Sequence, residues 1–384
     1  MTATSLTVAG LFAGIGGIEQ GLRQADHSTE LLCEIDSAAA EVLKVTMPDV
    51  PVHGDVRTLA ALPTCDLVAA GFPCTDLSQA GRKVGIGGEH SGLVDEVFRL
   101  LHGPNAPDTV LLENVSYMLR LDKGQAMNHL VRWFEELGYA WAYRVVDARA
   151  FGVPQRRQRV LMVASRSIDP RSVLFADESG SDDYDDRIGA VDPSSAYGFY
   201  WTEGLRGLGW AHNAVPTVKG GSGLGIPSAP AVWVPATGEV GTPEIEDGER
   251  LQGFPADWTL PAVEAGHKPG LRWRMVGNAV CVPMAAWVGS RLASPADPVV
   301  AFHELTTLRW PTAAWGHGGR RWAADASMRP FKPEPDLLKF LSQPLRPLSL
   351  KAVTGFLSRA RTGRLRFSEG FLEALDAHRE RMTP

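Results

Sequence analysis

Four side chains stand where they could do chemistry. Cys74 follows a small apolar run in "LVAAGFPC", Glu113 comes near the end of "TVLLENV", and Arg157 and Arg159 alternate in "VPQRRQRVLMV". A thiol at the carboxyl end of a strand in an open α/β sheet lies at the edge where such folds bind ligands, and its thiolate is a nucleophile. The competing reading is a small packing residue, the common fate of a cysteine. Glu113, held in an apolar setting, would have a raised pKa and act as a proton donor; the competing reading is a capping or salt-bridged carboxylate. In an extended chain Arg157 and Arg159 point to one side, where they could clamp a phosphate or an oxygen, while Arg156 points the other way. Cys33, Cys65 and Cys281 lie within or before predicted elements and read as packing thiols. No Cys-x-x-Cys pair and no His/Cys/Asp cluster with ligand spacing is present, so a metal site is not expected.

A second group of residues has the pattern of a ligand pocket. "LFAGIGGIEQGL" places a glycine turn between a strand and a helix, which lets a ligand approach the backbone at the helix N-terminus. Glu34 stands about 20 residues past Gly14, where a carboxylate can accept both ribose hydroxyls of a nucleoside. Asp55, in "GDVRTL", could reach an adenine amino group or be an ordinary solvated aspartate. Dinucleotide enzymes share this spacing, and a turn without a ligand is also open.

The elements that must hold these residues are legible as a rhythm. "SLTVAGLF", "ELLCEID", "CDLVAAGF", "DTVLLENV" and "RVLMVAS" read as buried strands. "GGIEQGLRQA", "SAAAEVLKVT", "SGLVDEVFRLL" and "GQAMNHLVRWFEELG" read as helices, the last stopped by Gly138. Alternation of this kind predicts a mostly parallel, doubly wound, Rossmann-like sheet. The rhythm ends near residue 166, where the acidic "DESGSDDYDDR" begins a section rich in Gly, Pro and Trp. Helical pattern returns in "EDGERLQGF" and "CVPMAAWVGSRLA". The expected organisation is a catalytic domain over 1–165, a smaller domain over 166–246, a return segment over 247–299 and a C-terminal extension over 300–384.

The chain has 384 residues and a net charge of −6. Residues 301–384 carry 14 Lys and Arg against 8 Asp and Glu, whereas the remainder carries 24 against 36. A basic end on an acidic body suggests a nucleic-acid partner; a solvated basic face is the plainer alternative. No uncharged apolar run is long enough to span a bilayer, and the N-terminus lacks the basic start of a signal peptide, so a cytoplasmic protein without a membrane partner is expected.

Taken in order, "LFAGIGGIEQGL", "EID", "GDV", "GFPCTDLSQAG", "SGL", "ENV", "FGVPQRRQRV", "ERLQGFP" and "GNAV" resemble the cytosine-C5 DNA methyltransferases, over about residues 6–165 and 245–294. The resemblance implies transfer of a methyl group from S-adenosylmethionine to C5 of a cytosine flipped out of double-stranded DNA. It implies Cys74 as the nucleophile that adds to cytosine C6, Glu113 as the carboxyl at N3 and the exocyclic amine, Arg159 at the cytosine oxygen and Arg157 beside the ring. For the cofactor it implies Phe12 with the turn residues Ala13, Gly14, Gly16 and Gly17. It adds Glu34 at the ribose, Ile35 on the adenine, and Asp55 and Val56 at the adenine edge. Gly71, Pro73, Leu93, Asn278 and Ala279 complete the pocket. The smaller domain corresponds to target recognition, with Lys219 a candidate phosphate contact or a plain surface lysine. Trp310, Trp315 and Trp322 in the extension would bind DNA or a partner, or belong to a brace. The sequence departs from the family at Gly10, where an acidic residue is frequent, and at Ile35, Thr75 and Ala279. A bacterial or phage monomer is expected, paired with a restriction nuclease or defence-system proteins or acting alone. A tRNA methyltransferase, a non-catalytic DNA-binding module and a nicotinamide oxidoreductase are the alternatives weighed.

Overall fold

The computed structural model describes residues 4–72, 92–180, 184, 186–221, 229–307 and 309–383. The chain forms two compact units. The first comprises Met1–Ala150, Gln158–Asp182 and Val280–Lys332, and the second Phe151–Arg157, Asp183–Ala279 and Pro333–Pro384.

The first unit is built on β1 (Thr7–Leu11), β2 (Ser28–Cys33), β3 (Val52–His53), β4 (Leu67–Ala70) and β5 (Thr109–Val115). These strands run parallel in the order β3-β2-β1-β4-β5. The doubly wound sheet expected from the alternation is therefore present, and its order reverses between β1 and β4, where such sheets open a ligand crevice. All four residues of β4 are fully buried, which is why it reads as an unbroken apolar run rather than an alternating one. Helices α1 (Gly17–Gln24), α2 (Ser37–Thr46), α3 (Leu93–Leu101) and α4 (Gln125–Glu136) link and cover the strands. Gly138 follows α4 with φ +78°, the left-handed stop its position predicts.

Beyond β5 the sheet turns antiparallel. β6 (Ala140–Asp147) and β8 (Gln158–Ser165) extend it, and β15 (Ala313–His317), β16 (Arg320–Ala324) and β14 (Phe302–Glu304) complete ten strands. Residues 300–332 thus join the first unit, with Trp310 packed edge-on against Trp141 and Trp315 stacked 4.2 Å from Trp322. α5 (Val282–Ala293) returns to lie on α1. A Cβ on Gly17 would overlap the Val280 carbonyl, and one on Gly21 would stand 2.6 Å from Ala285 Cβ, so glycine permits this close approach.

The second unit holds a five-stranded antiparallel sheet, β10 (Ala211–His212), β9 (Tyr197–Phe199), β12 (Ala231–Val234), β13 (Glu239–Thr242) and β17 (Arg346–Pro347), in that order. A two-stranded parallel pair joins β7 (Gln155–Arg156) to β11 (Val215–Pro216). Its aromatic core, with Phe199, Trp210 and Trp233, packs on α6 (Leu350–Thr362) and α7 (Phe371–Arg381) through Phe356 and Phe371. Residues 333–384, basic in sequence, therefore supply helices that close this core.

Candidate active site

The glycine turn between β1 and α1 is strained in the way a ligand-binding turn is. Phe12 has φ +55°, Gly14 +57° and Gly16 +83°; a left-handed phenylalanine persists only where its surroundings hold it. Ala13 N donates to Cys33 O at 3.0 Å and Gly16 N to Ala13 O at 2.8 Å. Glu34 is the centre of this arrangement. Its Oε2 accepts from Gly14 N and its Oε1 from Asp36 N, both at 2.7 Å. Burial raises its pKa, and these two amides act in the other direction. The Ile35 amide acts on it as well, and an ionised carboxylate offers about four acceptor positions, so acceptor capacity remains.

Phe12, Glu34, Ile35, Asp55, Val56 and Leu93, six residues separated widely in sequence, line one cavity of about 470 Å³. That volume lies in the range of small-ligand sites. Ile35 is 68% exposed, an apolar side chain that a planar ring could cover. Asp55 is bound to Arg57 by both carboxylate oxygens, at 2.6 to 3.1 Å, and this pairing lowers its pKa. The adenine-edge reading of Asp55 therefore has to share this carboxylate with Arg57. Arg57 itself, Gly54, Gly92 and Glu96 also line the cavity and were not singled out in the sequence; Cys33, read there as a packing thiol, lines it too. The spacing contains a signal for two of them: Arg57 sits across a single turn from Asp55, and Glu96 is three residues along α3 from Leu93.

The reacting edge lies at the ends of β4 and β5. Glu113, on β5, is paired with Arg159 of β8, with Nε 2.9 Å from Oε1 and both side chains about one-tenth exposed. The carboxyl is thus salt-bridged. Asn114 Nδ2 donates to Phe72 O at 2.9 Å, which ties the end of β4 to β5. A Cβ on Gly71 would stand 3.7 Å from Glu113 Oε2. Pro73, Cys74 and Thr75 lie outside the described residues, but the chain leading to them passes directly beside Glu113.

Arg157 behaves differently from its predicted companion. It falls in the break between β7 and β8, so the two-residue alternation does not run through it. Its guanidinium is buried in the second unit and donates to Val218 O at 3.1 Å and Ala279 O at 2.6 Å, with Gly277 O at 3.4 Å. Gln155 joins the same brace, accepting from Val218 N and donating to Leu251 O. Asn278 and Ala279 end the helix Leu271–Asn278 in this unit. Lys219 is paired with Glu203 and lies 3.6 Å from the Tyr200 ring centroid, so it is an engaged side chain.

One buried group has no counterpart in the sequence reading. Glu19, in the first turn of α1, is 1% exposed, and neither oxygen receives a hydrogen bond from another of the described residues. Burial pushes its pKa up to about 7, its own amide acts in the other direction, and Glu34 adds to the rise. A Cβ on Gly10 would run into Glu19 Oε1. The carboxyl occupies the space that a side chain at position 10 would need.

Comparison with known proteins shows the family. The sequence profile of the C-5 cytosine-specific DNA methylases matches residues 6–184. The type II methyltransferase M2.BsuMI of Bacillus subtilis strain 168 is 49% identical over 384 residues, covering 98% of this chain and 99% of that protein. The chain belongs to the C-5 cytosine-specific DNA methylases. As a member of that family it transfers a methyl group to C5 of cytosine in DNA. The type II methyltransferase M.BanI of Aneurinibacillus aneurinilyticus is 34% identical over 195 residues, 48% of this chain and 45% of the relative. Among solved structures, the Entamoeba histolytica methyltransferase EhMeth superimposes with a TM-score of 0.52 at 13% identity, covering 75% of this chain and 98% of that one. That likeness is one of fold. Among the described residues no helix of this methylase is long and apolar enough to cross a membrane.

Proposed function

We propose that this methylase acts on cytosine in a specific duplex sequence through a covalent adduct at Cys74, as the modification partner of a restriction nuclease. The observation that carries the reading is the edge formed by β4 and β5, where Glu113 and Arg159 stand beside the chain that leads into Cys74.

S-adenosylmethionine is the methyl donor in this reading and supplies an electrophilic methyl on a sulfonium. The cavity fits it: the remaining acceptor capacity of Glu34 suits a ribose hydroxyl, and exposed Ile35 suits an adenine face. Phe12, Val56 and Leu93 line the pocket, with Ala13, Gly14, Gly16, Gly17, Gly71, Pro73, Asn278 and Ala279 assigned to it by the resemblance.

The chain's own groups perform the pyrimidine chemistry. The target base leaves the duplex, which costs a few kcal/mol and is met by a fitted pocket. The Cys74 thiolate forms a bond to C6, and the ring's electron pair moves so that C5 becomes nucleophilic. Glu113 holds a proton at N3 and Arg159 holds the carbonyl oxygen at C2, which keeps charge from building on the base. After methyl transfer a base removes the C5 proton, the C6–sulfur bond breaks, and the thiolate is restored. Arg157 supports the recognition unit through its carbonyl contacts, and its place beside the ring rests on the resemblance. The second unit reads the target sequence.

Expression of the chain in cells that lack cytosine methylation, followed by bisulfite sequencing, tests this. The expected result is C5 methylation confined to one short sequence context. Absence of methylation from the intact chain, or methylation without sequence preference, contradicts the reading.

A further inference from the structure

The segment that follows Glu113 is unusual in three ways. Ser116–Gly124 is a 3₁₀ turn interrupted at Leu121–Lys123, and Asp122, Lys123 and Gly124 are left-handed in succession, with φ +47°, +59° and +91°. Non-glycine residues in that region cost on the order of 1–3 kcal/mol each and persist where the surroundings dictate them. Here the surroundings are visible. Met118 and Leu119 are buried in the core beneath, and Trp310 Nε1 donates to Gly124 O at 3.1 Å. The segment is pinned at both ends of the strained turn.

What the strain presents is a face of one character. In a 3₁₀ turn residues three apart eclipse one another, so Tyr117 and Arg120 share a side opposite Met118 and Leu119. Tyr117 is 62% exposed, among the most exposed large apolar side chains of the described residues. Arg120 and Lys123 are exposed too, and neither forms an ion pair among the described residues. The one acid of the segment, Asp122, is half-buried. Tyr117 stands four residues past Glu113, at the carboxyl end of β5 where the reacting edge lies. A protein with net charge −6 needs local cationic sites to hold a polyanion.

We propose that Tyr117, Arg120 and Lys123 form a contact for the sugar–phosphate backbone of the duplex DNA substrate, next to the flipped base. The two cations neutralise phosphates and the tyrosine ring lies against a sugar or an exposed base. The proposal rests on the function proposed above, and its test separates the two. Fluorescence anisotropy with a labelled duplex, across a range of salt, compares the intact methylase with Arg120→Ala/Lys123→Ala and with Tyr117→Ala. Each lost phosphate contact lowers the slope of log affinity against log salt by about 0.9. The double variant is expected to lose about 2 from the slope and to bind more weakly at low salt. Tyr117→Ala is expected to bind more weakly with its slope unchanged. All three proteins are expected to bind S-adenosylmethionine equally, because none of these residues lines the cavity. An unchanged slope and affinity in the double variant overturns the contact while leaving the function standing. A slope loss accompanied by an equal loss of cofactor affinity also overturns it, since that marks general damage. An intact protein that binds no duplex and transfers no methyl overturns the functional reading itself.

Discussion

Glu19 allows a sharp test of how the site is built, because its effect on stability has a definite sign and pH window. Unfolded, the carboxyl ionises near 4.5; folded, burial holds the proton until about 7. Below pH 4.5 both states are protonated and the group is neutral to stability. Between 4.5 and 7 the unfolded state releases its proton first, so stability falls as pH rises. Above 7 the loss is complete. At about 1.4 kcal/mol for each pH unit separating the two ionisations, it amounts to about 3 kcal/mol. Glu19→Gln removes the charge and keeps the shape, so the variant should match the natural protein at pH 4.5 and exceed it by about 3 kcal/mol at pH 8. Urea unfolding of both proteins at pH 4.5, 6 and 8, followed by tryptophan fluorescence and circular dichroism, measures this. A difference that stays constant across the range, or one that favours the natural protein at pH 8, would refute the claim of an unpartnered buried carboxyl. The same contact makes a companion case at position 10: Gly10→Ala should be destabilising alone and much less so with Glu19→Ala, a coupling that a double-mutant cycle reads directly.

Two further outcomes follow from the two halves of the site. Glu34→Ala removes the acceptor of two backbone amides together with the proposed ribose partner; hydrogen bonds to charged groups contribute about 1.5–3 kcal/mol each, so S-adenosylmethionine should bind at least about tenfold more weakly by calorimetry, and an unchanged Kd would contradict the assignment. Arg157→Met leaves three carbonyls in the second unit without their donor and should destabilise that unit by several kcal/mol, whereas a loss of methyl transfer with undiminished stability would mean that Arg157 acts on the base after all.

Much of the parallel half of the fold is legible in the sequence, because buried parallel strands read as short apolar runs and their carboxyl ends carry the distinctive residues. Glu34, Asp55 and Glu113 all stand at such ends. The antiparallel half is less legible. β6 mixes Trp141, Tyr143 and a fully buried Arg144, and β15 contains Gly316 and His317; neither has a clean period. Arg144 is buried because Ser327 O, Asp177 O and Glu178 surround its guanidinium, partners that no local pattern announces. Arg157 is the instructive case within the site. Alternation with Arg159 holds only if one strand contains both, and Arg157 lies in the gap just before β8 begins at Gln158. The carboxyl of Glu19 is hidden for a related reason: it lies in the first turn of a helix, where glutamate is ordinary, and only its proximity to Gly10 makes it unusual.

The most direct test of the mechanism is covalent capture. DNA in which 5-fluorocytosine replaces cytosine blocks the final proton removal, so an enzyme that works through a C6 adduct stops with the DNA attached. Incubation of the methylase with such DNA and S-adenosylmethionine, followed by proteolysis and mass spectrometry, should place the nucleotide on the peptide that contains Cys74, and the Cys74→Ala protein should give no adduct and no methylation. An adduct on another residue, or methylation that proceeds in the Cys74→Ala protein, would contradict the account.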